Sequence, residues 1–166
     1  QGDIEALPLS ANMVDVAVSN CVLNLVPDKR KAFSEVLRVL KPGGHFNISD
    51  IVLRGQLPEN IRKAAEMYAG CVSGALQEAE YMGIVHDLGF EQVTIQKRKA
   101  INLPDDILSN YLSAEEIADF RASGTGIFSI TVAGTKPTAP GVMSAQTRQD
   151  KADLKSACCG PDSTCC

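Results

Sequence analysis

The chain has 166 residues, of which 45% are hydrophobic and 22% are charged, and its net charge is −4. This composition is typical of a globular domain with a sizeable core, and the absence of a basic run argues against nucleic acid or an anionic membrane surface as a partner. No apolar run approaches the ~18 residues of a membrane-spanning helix, and the first residues show no signal-peptide pattern, so we expect a cytoplasmic protein with mostly reduced thiols.

The first predicted elements form a strand–helix–strand unit. Residues 14–19 are a short apolar run after a turn-prone segment, which indicates a buried strand. A helix is predicted to begin at Asp28, with apolar residues at helical spacing, and to end at the Pro-Gly-Gly of residues 42–44. Residues 46–52 are predicted to form the next buried strand, and the helical connection predicts that the two strands are parallel.

The second half of the folded region is predicted to be helical first and extended later. Residues 58–88 have mostly helical character, with interruptions at Gly70 and Gly74 on either side of Cys71. The last two strands are predicted not to repeat the helical crossover that connects the first two strands. The remaining predicted elements are a strand over residues 92–98, helices that begin at Asp105 and Ala114, and a last strand over residues 127–135.

We therefore expect two regions with different character. Residues 1–136 are predicted to form a doubly wound α/β domain, whereas residues 137–166 have little apolar content and no clear period, which predicts a flexible tail. Doubly wound sheets bind ligands at the carboxyl ends of their strands. Cys21 follows the first predicted strand at that edge.

Two single cysteines lie in the folded region. Cys21 follows the first strand, and Cys71 lies between two glycines in a helical stretch. Each thiol is consistent with a buried side chain that only fills space. Alternatively, the two converge on one soft centre, since thiolates prefer soft ions. Their separation of 50 residues in sequence leaves both interpretations open.

The other four cysteines form two pairs in the terminal segment CCGPDSTCC, namely Cys158, Cys159, Cys165 and Cys166. Paired cysteines around Gly-Pro can bind soft metals or metalloids, or the first pair can form disulfides with the second. The remaining interpretation is an exposed tail without defined structure.

Other residue patterns are less informative. The acidic turn that contains Asp3 and Ile4 can take a ribose hydroxyl or an exocyclic amine through its carboxylate, with the isoleucine over a purine ring, or it is an ordinary solvated loop. His45 and His86 lack the spacing of a zinc motif, so we interpret both as structural or surface residues. Neither GxSxG nor a phosphate-binding loop is present. Hydrolase and nucleotide-hydrolysis functions are therefore not indicated.

Several motifs together resemble a known family. The segment LKPGG followed by a strand resembles the region of the fourth and fifth strands in class I S-adenosylmethionine-dependent methyltransferases. In chain order, the segments GDIEALP, SNCVLNL, DKRKAFSEVLRVLKPGG, ISDIV, YAGCVSGAL and LGFEQVTI resemble the arsenite S-adenosylmethionine methyltransferases. The resemblance covers about residues 1–100 and the final strand, FSITVAGTK, and a short cysteine-rich tail also recurs in that family.

The resemblance implies a function and a set of site residues. It implies a Rossmann-like fold, S-adenosylmethionine as cofactor, trivalent arsenic as substrate, and methyl transfer in arsenic detoxification. Cys21 and Cys71 match the family's cysteines that hold trivalent arsenic. Asp3 and Ile4 match positions that contact the adenine of the cofactor, and Asn20 lies beside the cofactor-facing end of a strand. Because arsenic is oxidised as it gains the methyl group, thioredoxin or glutathione is implied as the reductant.

The sequence departs from the family's pattern at its start. The glycine-rich cofactor loop, the acidic residue of the second strand and the N-terminal cysteines of the family have no counterpart here. We therefore expect the C-terminal portion of such an enzyme, with an apolar face and a bare sheet edge, that binds the cofactor weakly or folds poorly and is inactive alone. The alternatives are another small-molecule methyltransferase of the sterol or quinone type, and a non-catalytic thiol module that sequesters soft metalloids.

Overall fold

The computed structural model describes residues 2–68 and 70–138, and within them a four-stranded mixed sheet has hydrophobic clusters on both faces. None of the helices in this part of the chain is long and apolar enough to cross a membrane. The strands are β1 (Val14–Asn20), β2 (Leu40–Arg54), β3 (Glu91–Ile101) and β4 (Gly126–Thr135), and the helices are α1 (Lys29–Val39), α2 (Glu59–Tyr68), α3 (Glu78–Asp87), α4 (Asp105–Leu108) and α5 (Ala114–Ala122). Short 3₁₀ turns follow β1 at Leu23–Leu25 and α2 at Gly70–Val72. Outside the described residues lie the tail cysteines Cys158, Cys159, Cys165 and Cys166.

The strand–helix–strand unit at the start of the sheet is confirmed. β1 pairs with β2 in parallel, with Asn20 opposite Ser49. α1 begins where the Asp28 side chain accepts a hydrogen bond from the Lys31 backbone N–H, which is the usual role of an aspartate at a helix N-cap. The two parallel strands are directed toward one edge of the sheet, and that edge carries Cys21.

The predicted boundary between α1 and β2 is wrong by several residues. The helix ends at Val39 rather than at the Pro-Gly-Gly of residues 42–44, and β2 begins at Leu40 rather than at residue 46. The Pro-Gly-Gly lies in an irregular start of β2, where the register with β1 shifts and Gly43 has a φ of +79°. Glycine adopts this left-handed conformation without strain. The segment therefore bends the strand and does not stop the helix.

The two C-terminal strands form an antiparallel pair, and the parallel crossover of the first unit is not repeated between them, as expected. β4 lies between β2 and β3 and is antiparallel to both, so the order of strands is β1-β2-β4-β3. α4 and α5 lie in the connection between β3 and β4, at the predicted starts of Asp105 and Ala114. α5 begins with a capping box in which Ser113 and Glu116 exchange hydrogen bonds between side chain and backbone.

Two hydrophobic clusters cover opposite faces of the sheet. Because alternate residues of a strand point to opposite faces, Ile48 and Val52 of β2 belong to the first cluster, whereas Ile51 and Leu53 belong to the second. The first cluster also contains side chains of α1 and α3, and the second contains side chains of α2, α4 and α5. The first cluster includes a group of aromatic rings in edge-to-face contact, namely Phe33, Phe46, Tyr81 and Phe90.

β1 forms an edge of the described sheet, and side chains along it are apolar and exposed. Val18 is 76% exposed and Val16 is also exposed, as is Leu25 in the turn that follows the strand. Exposed apolar side chains on an edge strand mark a surface suited to pairing or packing with another segment. The apolar, bare edge expected from the sequence therefore lies at β1.

The backbone of the N-terminal loop (residues 3–9) is attached to α1 by hydrogen bonds to Glu35 and Arg38, which form an ion pair on that helix. The Leu7 N–H donates to Glu35 Oε2 at 2.8 Å. Arg38 donates to the carbonyl oxygens of Leu7 at 3.1 Å and Leu9 at 2.8 Å, and it also binds Glu35 at 2.7 Å. The hydrogen bonds from Arg38 and then from Leu7 hold the pKa of Glu35 well below its usual range, at about 2.

Replacement of Glu35 by glutamine is expected to weaken this attachment in a pH-dependent way. A carboxyl with a folded-state pKa of about 2 stabilises the fold fully above its ordinary pKa of 4.5, and the stabilisation is lost as the pH falls from 4.5 toward 2. The wild-type chain should therefore have the higher thermal midpoint above about pH 5, and the difference from Glu35→Gln should shrink below it. Thermal unfolding over this range of pH measures the difference.

Glu115→Gln is the matched control, because Glu115 is an exposed carboxylate on α5. Its midpoint should stay close to that of the wild-type chain at each pH. A difference between wild type and Glu35→Gln that is the same at about pH 7 and about pH 3 would contradict the role of the ionised carboxylate.

Candidate functional site

Cys21 lies directly after β1, at the edge toward which both parallel strands run. Its backbone N–H donates to Ser49 O at 2.7 Å, which extends the contact of β1 with β2 by one residue. Its φ of +57° is in the left-handed region, which is uncommon for residues other than glycine. The chain therefore turns sharply at Cys21, and the sheet holds the backbone that carries its half-buried thiol.

Cys71 lies in the 3₁₀ turn that follows α2 and approaches Cys21 in space, although 50 residues separate the two in sequence. Burial raises the pKa of the Cys21 thiol, and the Cys71 side chain raises it further through its charge and through a hydrogen bond between the two side chains. Both cysteines are half-buried and free of disulfide bonds, and both pack against the second cluster. The fold thus brings together two thiols whose spacing in sequence left the question open.

A buried carboxylate that the sequence analysis missed lies on β2 near the thiols. Asp50 is fully buried, its Oδ2 accepts from the Tyr81 hydroxyl at 3.0 Å, and its Oδ1 has no hydrogen-bond partner among the described residues. Burial raises the pKa of Asp50 to about 6, against the opposing effects of the Tyr81 hydrogen bond and the Lys29 charge. The charge of Asp50 in turn raises the pKa of Cys21.

Lys29, the first residue of α1, is the second buried charge of this region. It is 7% exposed, and burial lowers the pKa of its ammonium group, against the charges of Asp50 and Glu80. Burial and then the Asp50 charge raise the pKa of Tyr81. Lys29, Asp50 and Tyr81 are called the buried polar cluster below. These polar side chains lie together near the start of α1, and burying such groups without compensating contacts costs free energy.

A signal for Asp50 was present in the sequence. In the segment ISDIV it is the one charged residue of a predicted buried strand. Charged side chains are almost never fully buried unless they are paired, and titratable groups with a strongly shifted pKa occur often at functional sites. The sequence therefore offered a reason to single out Asp50, although its partners Lys29 and Tyr81 depend on tertiary packing.

The residues expected to contact a cofactor lie at the same end of the sheet. Glu5 of the N-terminal loop accepts from the Asp28 N–H at 2.9 Å, next to the start of α1. Asp3 is exposed, and its Oδ1 accepts from the Glu5 N–H at 2.9 Å. Ile4 is half-buried and packs against the first cluster, and Asn20 is exposed at the end of β1. Their role toward a cofactor stays a prediction.

The described residues contain no group of three histidine, cysteine or acidic side chains arranged to hold a metal ion. In the same part of the chain the soft ligands are Cys21 and Cys71. His45 and His86 are exposed, in line with the expectation that they are structural or surface residues. The four tail cysteines lie outside the described residues, so their auxiliary role stays a prediction.

Replacement of Asp50 by asparagine is expected to stabilise the chain as the pH rises. A folded-state pKa of about 6 against an ordinary value of 3.8 means that the carboxyl favours the fold below pH 3.8 and loses this contribution as the pH rises through 6. The shift corresponds to about 3 kcal/mol at most. Asparagine has no such ionisation and still offers an oxygen to Tyr81. The free energy of unfolding in denaturant measures the effect.

The advantage of Asp50→Asn over the wild-type chain should therefore grow between about pH 4 and about pH 7. Asp119→Asn on the exposed side of α5 is the matched control and should have little effect at either pH. An advantage of Asp50→Asn that does not change with pH would contradict the buried, partly compensated carboxylate.

The comparisons with protein families and curated proteins point to methyltransferases. A family model described as "Methyltransferase domain" matches residues 1–89, which is more than half of the chain. The arsenite methyltransferase of Halobacterium salinarum is 35% identical over 124 residues, covering 75% of this chain and 31% of that protein. The arsenite methyltransferase of Homo sapiens is 43% identical over 76 residues, covering 46% of this chain and 20% of that protein. The chain thus spans about a third or less of these relatives.

Solved structures show the same fold. The crystal structure of an arsenic(III) S-adenosylmethionine methyltransferase from Chlamydomonas reinhardtii matches with a TM-score of 0.63 and 30% identity, covering 85% of this chain and 44% of that chain. A putative methyltransferase from Bacillus halodurans matches with a TM-score of 0.61 and 17% identity, covering 83% of this chain and 71% of that chain. The second likeness carries information on the fold alone.

The region matched by the family model includes β1, α1, β2 and the two thiols. The mixed sheet with helices on both faces agrees with the class I methyltransferase fold that the sequence resemblance implies. The chain therefore belongs to the methyltransferase domain family.

Proposed function

We propose that this chain is the arsenic-binding part of an arsenite methyltransferase, which transfers a methyl group from S-adenosylmethionine to thiol-bound trivalent arsenic. The observation that carries the proposal is the proximity of Cys21 and Cys71, which pack against the same hydrophobic cluster at the end of the sheet where β1 stops. Relatives named arsenite methyltransferase support the same substrate. Because the chain spans about a third or less of their length, the activity of the whole protein is part of the proposal.

Two neighbouring thiols suit trivalent arsenic, because it is a soft centre and thiolates are soft ligands. Each arsenic–sulfur bond forms as an arsenic–hydroxide bond breaks, and the thiol proton leaves with the hydroxide as water. Cys21 and Cys71 supply two ligands, and a small thiol such as glutathione supplies the third. The arsenic then has a pyramidal geometry, with its lone pair directed away from the sulfurs.

The contribution of the chain to the reaction is orientation rather than acid–base chemistry. The lone pair of thiol-bound arsenic is already available, so no general base is needed on it. Burial and the side chains of Cys71 and Asp50 raise the pKa of Cys21, so this group enters the ligand exchange as a thiol that carries its own proton to the leaving hydroxide. Two thiols in loops that are packed against the core hold the reacting atom in one place.

S-adenosylmethionine, when bound, supplies an electrophilic methyl group on a sulfonium centre. The side chains present fit its nucleoside. Asp3 is exposed and uses Oδ1 for its own turn, so its carboxylate can accept a hydrogen bond from the adenine amine. Ile4 offers apolar surface to the ring, and Asn20 offers an exposed amide at the end of β1. These three residues are the proposed contacts of the chain with the cofactor.

The reaction requires a reductant in addition to the methyl donor. The arsenic loses two electrons as it becomes pentavalent on methylation, so a thiol reductant must return two electrons and is itself oxidised to a disulfide. Thioredoxin or glutathione would serve in a reducing cytoplasm. The cellular role that fits this chemistry is arsenic detoxification.

Two other functions make different demands on the same residues. A methyltransferase for another small molecule, of the sterol or quinone type, does not require Cys21 and Cys71 to be neighbours. A non-catalytic module that sequesters metalloids requires the thiols but makes no use of Asp3, Ile4 or Asn20. The interaction of the two thiols favours an arsenic-binding function over the first alternative, and the methyltransferase family favours it over the second.

The reduced chain is expected to bind trivalent arsenic at one site that needs both thiols. The four tail cysteines are replaced by serine in every variant, and arsenite is titrated while the arsenic–thiolate absorbance is followed. The parent should bind about one equivalent. Cys21→Ser and Cys71→Ser should each weaken binding by roughly 100-fold, because a second linked ligand contributes about 10²–10⁴ in affinity.

The control for ligand type is Mg²⁺, which should not compete with arsenite because it prefers oxygen ligands to thiolates. A Cys21→Ser variant that binds arsenite as tightly as the parent would exclude this thiol as a ligand. The arsenic-binding function of this chain would then be wrong, whatever its relatives bind.

A further inference from the structure

The backbone of Gly74 lies directly against the backbone of Asn24 near the thiols. This contact joins the first thiol loop (residues 21–28) to the second thiol loop (residues 70–77). A Cβ atom on Gly74 would lie 1.8 Å from the Asn24 carbonyl oxygen and 3.0 Å from its carbonyl carbon. Non-bonded carbon atoms pack at ≈ 3.5–4.0 Å, so a side chain of any size is excluded here. The contact between the two loops therefore requires glycine at this position.

The Asn24 side of this contact is tied to the sheet. Asn24 is 3% exposed, and its Nδ2 donates to Ile51 O of β2 at 2.9 Å. Its neighbour Leu23 is fully buried in the first cluster. The carbonyl group that meets Gly74 belongs to a residue with little freedom to move away.

The second thiol loop is also anchored, on both sides of Gly74. Val72 and Ala75 are buried in the second cluster, and the Ala75 N–H donates to Val72 O at 3.0 Å. The Leu53 N–H of β2 donates to Leu76 O at 2.8 Å. Gly74 thus lies in a tight turn whose flanking residues are packed into the core.

Lys29, a member of the buried polar cluster, occupies the space on another side of Gly74. Lys29 Nζ lies 3.5 Å from the position that a Cβ on Gly74 would take. The ammonium group is near Asp50, whose charge raises its pKa against the effect of burial. A side chain at position 74 therefore meets an anchored carbonyl group on one side and a buried ammonium group on another.

We propose that Gly74 is a positioning residue, whose contact with Asn24 sets the separation of the Cys21 and Cys71 sulfurs so that both reach one arsenic atom. The inference rests on the proposed function, because it concerns how the same two thiols bind their ligand. Cys71 precedes Gly74 in the second thiol loop, so a displacement of this loop also displaces its sulfur. The glycine thereby favours ligands that bind both sulfurs at once.

Phenylarsine oxide is the probe for this geometry, because its arsenic binds two sulfurs at once. Two thiols replace the oxygen on arsenic, two arsenic–sulfur bonds form, and the oxygen leaves with both thiol protons as water. Iodoacetamide is the complementary probe, because it alkylates one thiol at a time with release of iodide and a proton. A change in separation alone affects the first reagent and leaves the second unaffected.

The test compares Gly74→Ala with the matched control Gly83→Ala in the chain whose tail cysteines are serine. Apart from the backbone of its own helix, nothing lies within 4 Å of a Cβ on Gly83 of α3, so this alanine meets open space. Gly74→Ala should weaken the binding of phenylarsine oxide by roughly 100-fold, the scale of a lost linked ligand. The rate of alkylation by iodoacetamide should change by less than about twofold, and Gly83→Ala should match the parent in both measurements.

Equal binding of phenylarsine oxide by Gly74→Ala and the parent would overturn the positioning role. If circular dichroism shows that Gly74→Ala does not fold, Asn24→Ala decides, because it keeps the glycine and removes the side chain that ties the Asn24 carbonyl group to β2 through Ile51 O. This variant should bind phenylarsine oxide more weakly at an unchanged rate of alkylation, and parental binding would overturn the inference. Binding by the parent that persists in Cys21→Ser would instead overturn the proposed function.

Discussion

The parallel pairing of β1 with β2 is the interaction on which the rest of the structure depends. It continues past the last residue of β1, because the Cys21 N–H donates to Ser49 O, and it therefore sets where the first thiol loop leaves the sheet. β2 also pairs with β4 and divides its side chains between the two clusters. A slip of one residue would turn every side chain of β2 to the opposite face. The same register thus determines the position of the Cys21 thiol and the burial of Asp50.

The buried polar cluster has an energetic cost that an apolar side chain at its centre would avoid. The Tyr81 hydroxyl and the Lys29 ammonium group compensate only part of the cost of burying the ionised carboxylate. The uncompensated part of that cost raises the pKa of Asp50 to about 6. Asp50 raises the pKa of Cys21 through its charge, and Lys29 lies against the turn that contains Gly74. The cluster therefore lies next to both thiol loops. Its buried charged groups are also the ones that reduce the stability of the fold near neutral pH.

The local elements were predictable from the sequence, whereas the features that depend on tertiary contacts were not. The apolar period and the Asp28 cap gave the start of α1 correctly, but Pro-Gly-Gly can bend a strand as well as stop a helix, and only the register with β1 decides between the two. The proximity of Cys21 and Cys71 was implied by motif resemblance and not by spacing, because it depends on how two loops far apart in sequence pack together. Asp50 was missed because an apolar strand pattern hides a single charged residue.

α1 connects the two parts of the candidate site. At its start, Lys29 belongs to the buried polar cluster, and the neighbouring Asp28 binds Glu5 of the N-terminal loop. Farther along the same helix, Glu35 and Arg38 hold that loop by its backbone. A helix of 11 residues is about 16 Å long and stiff over that length. α1 therefore holds both the loop that carries Asp3 and Ile4 and a residue of the buried polar cluster beside the thiols, so one rigid element fixes these two parts relative to each other.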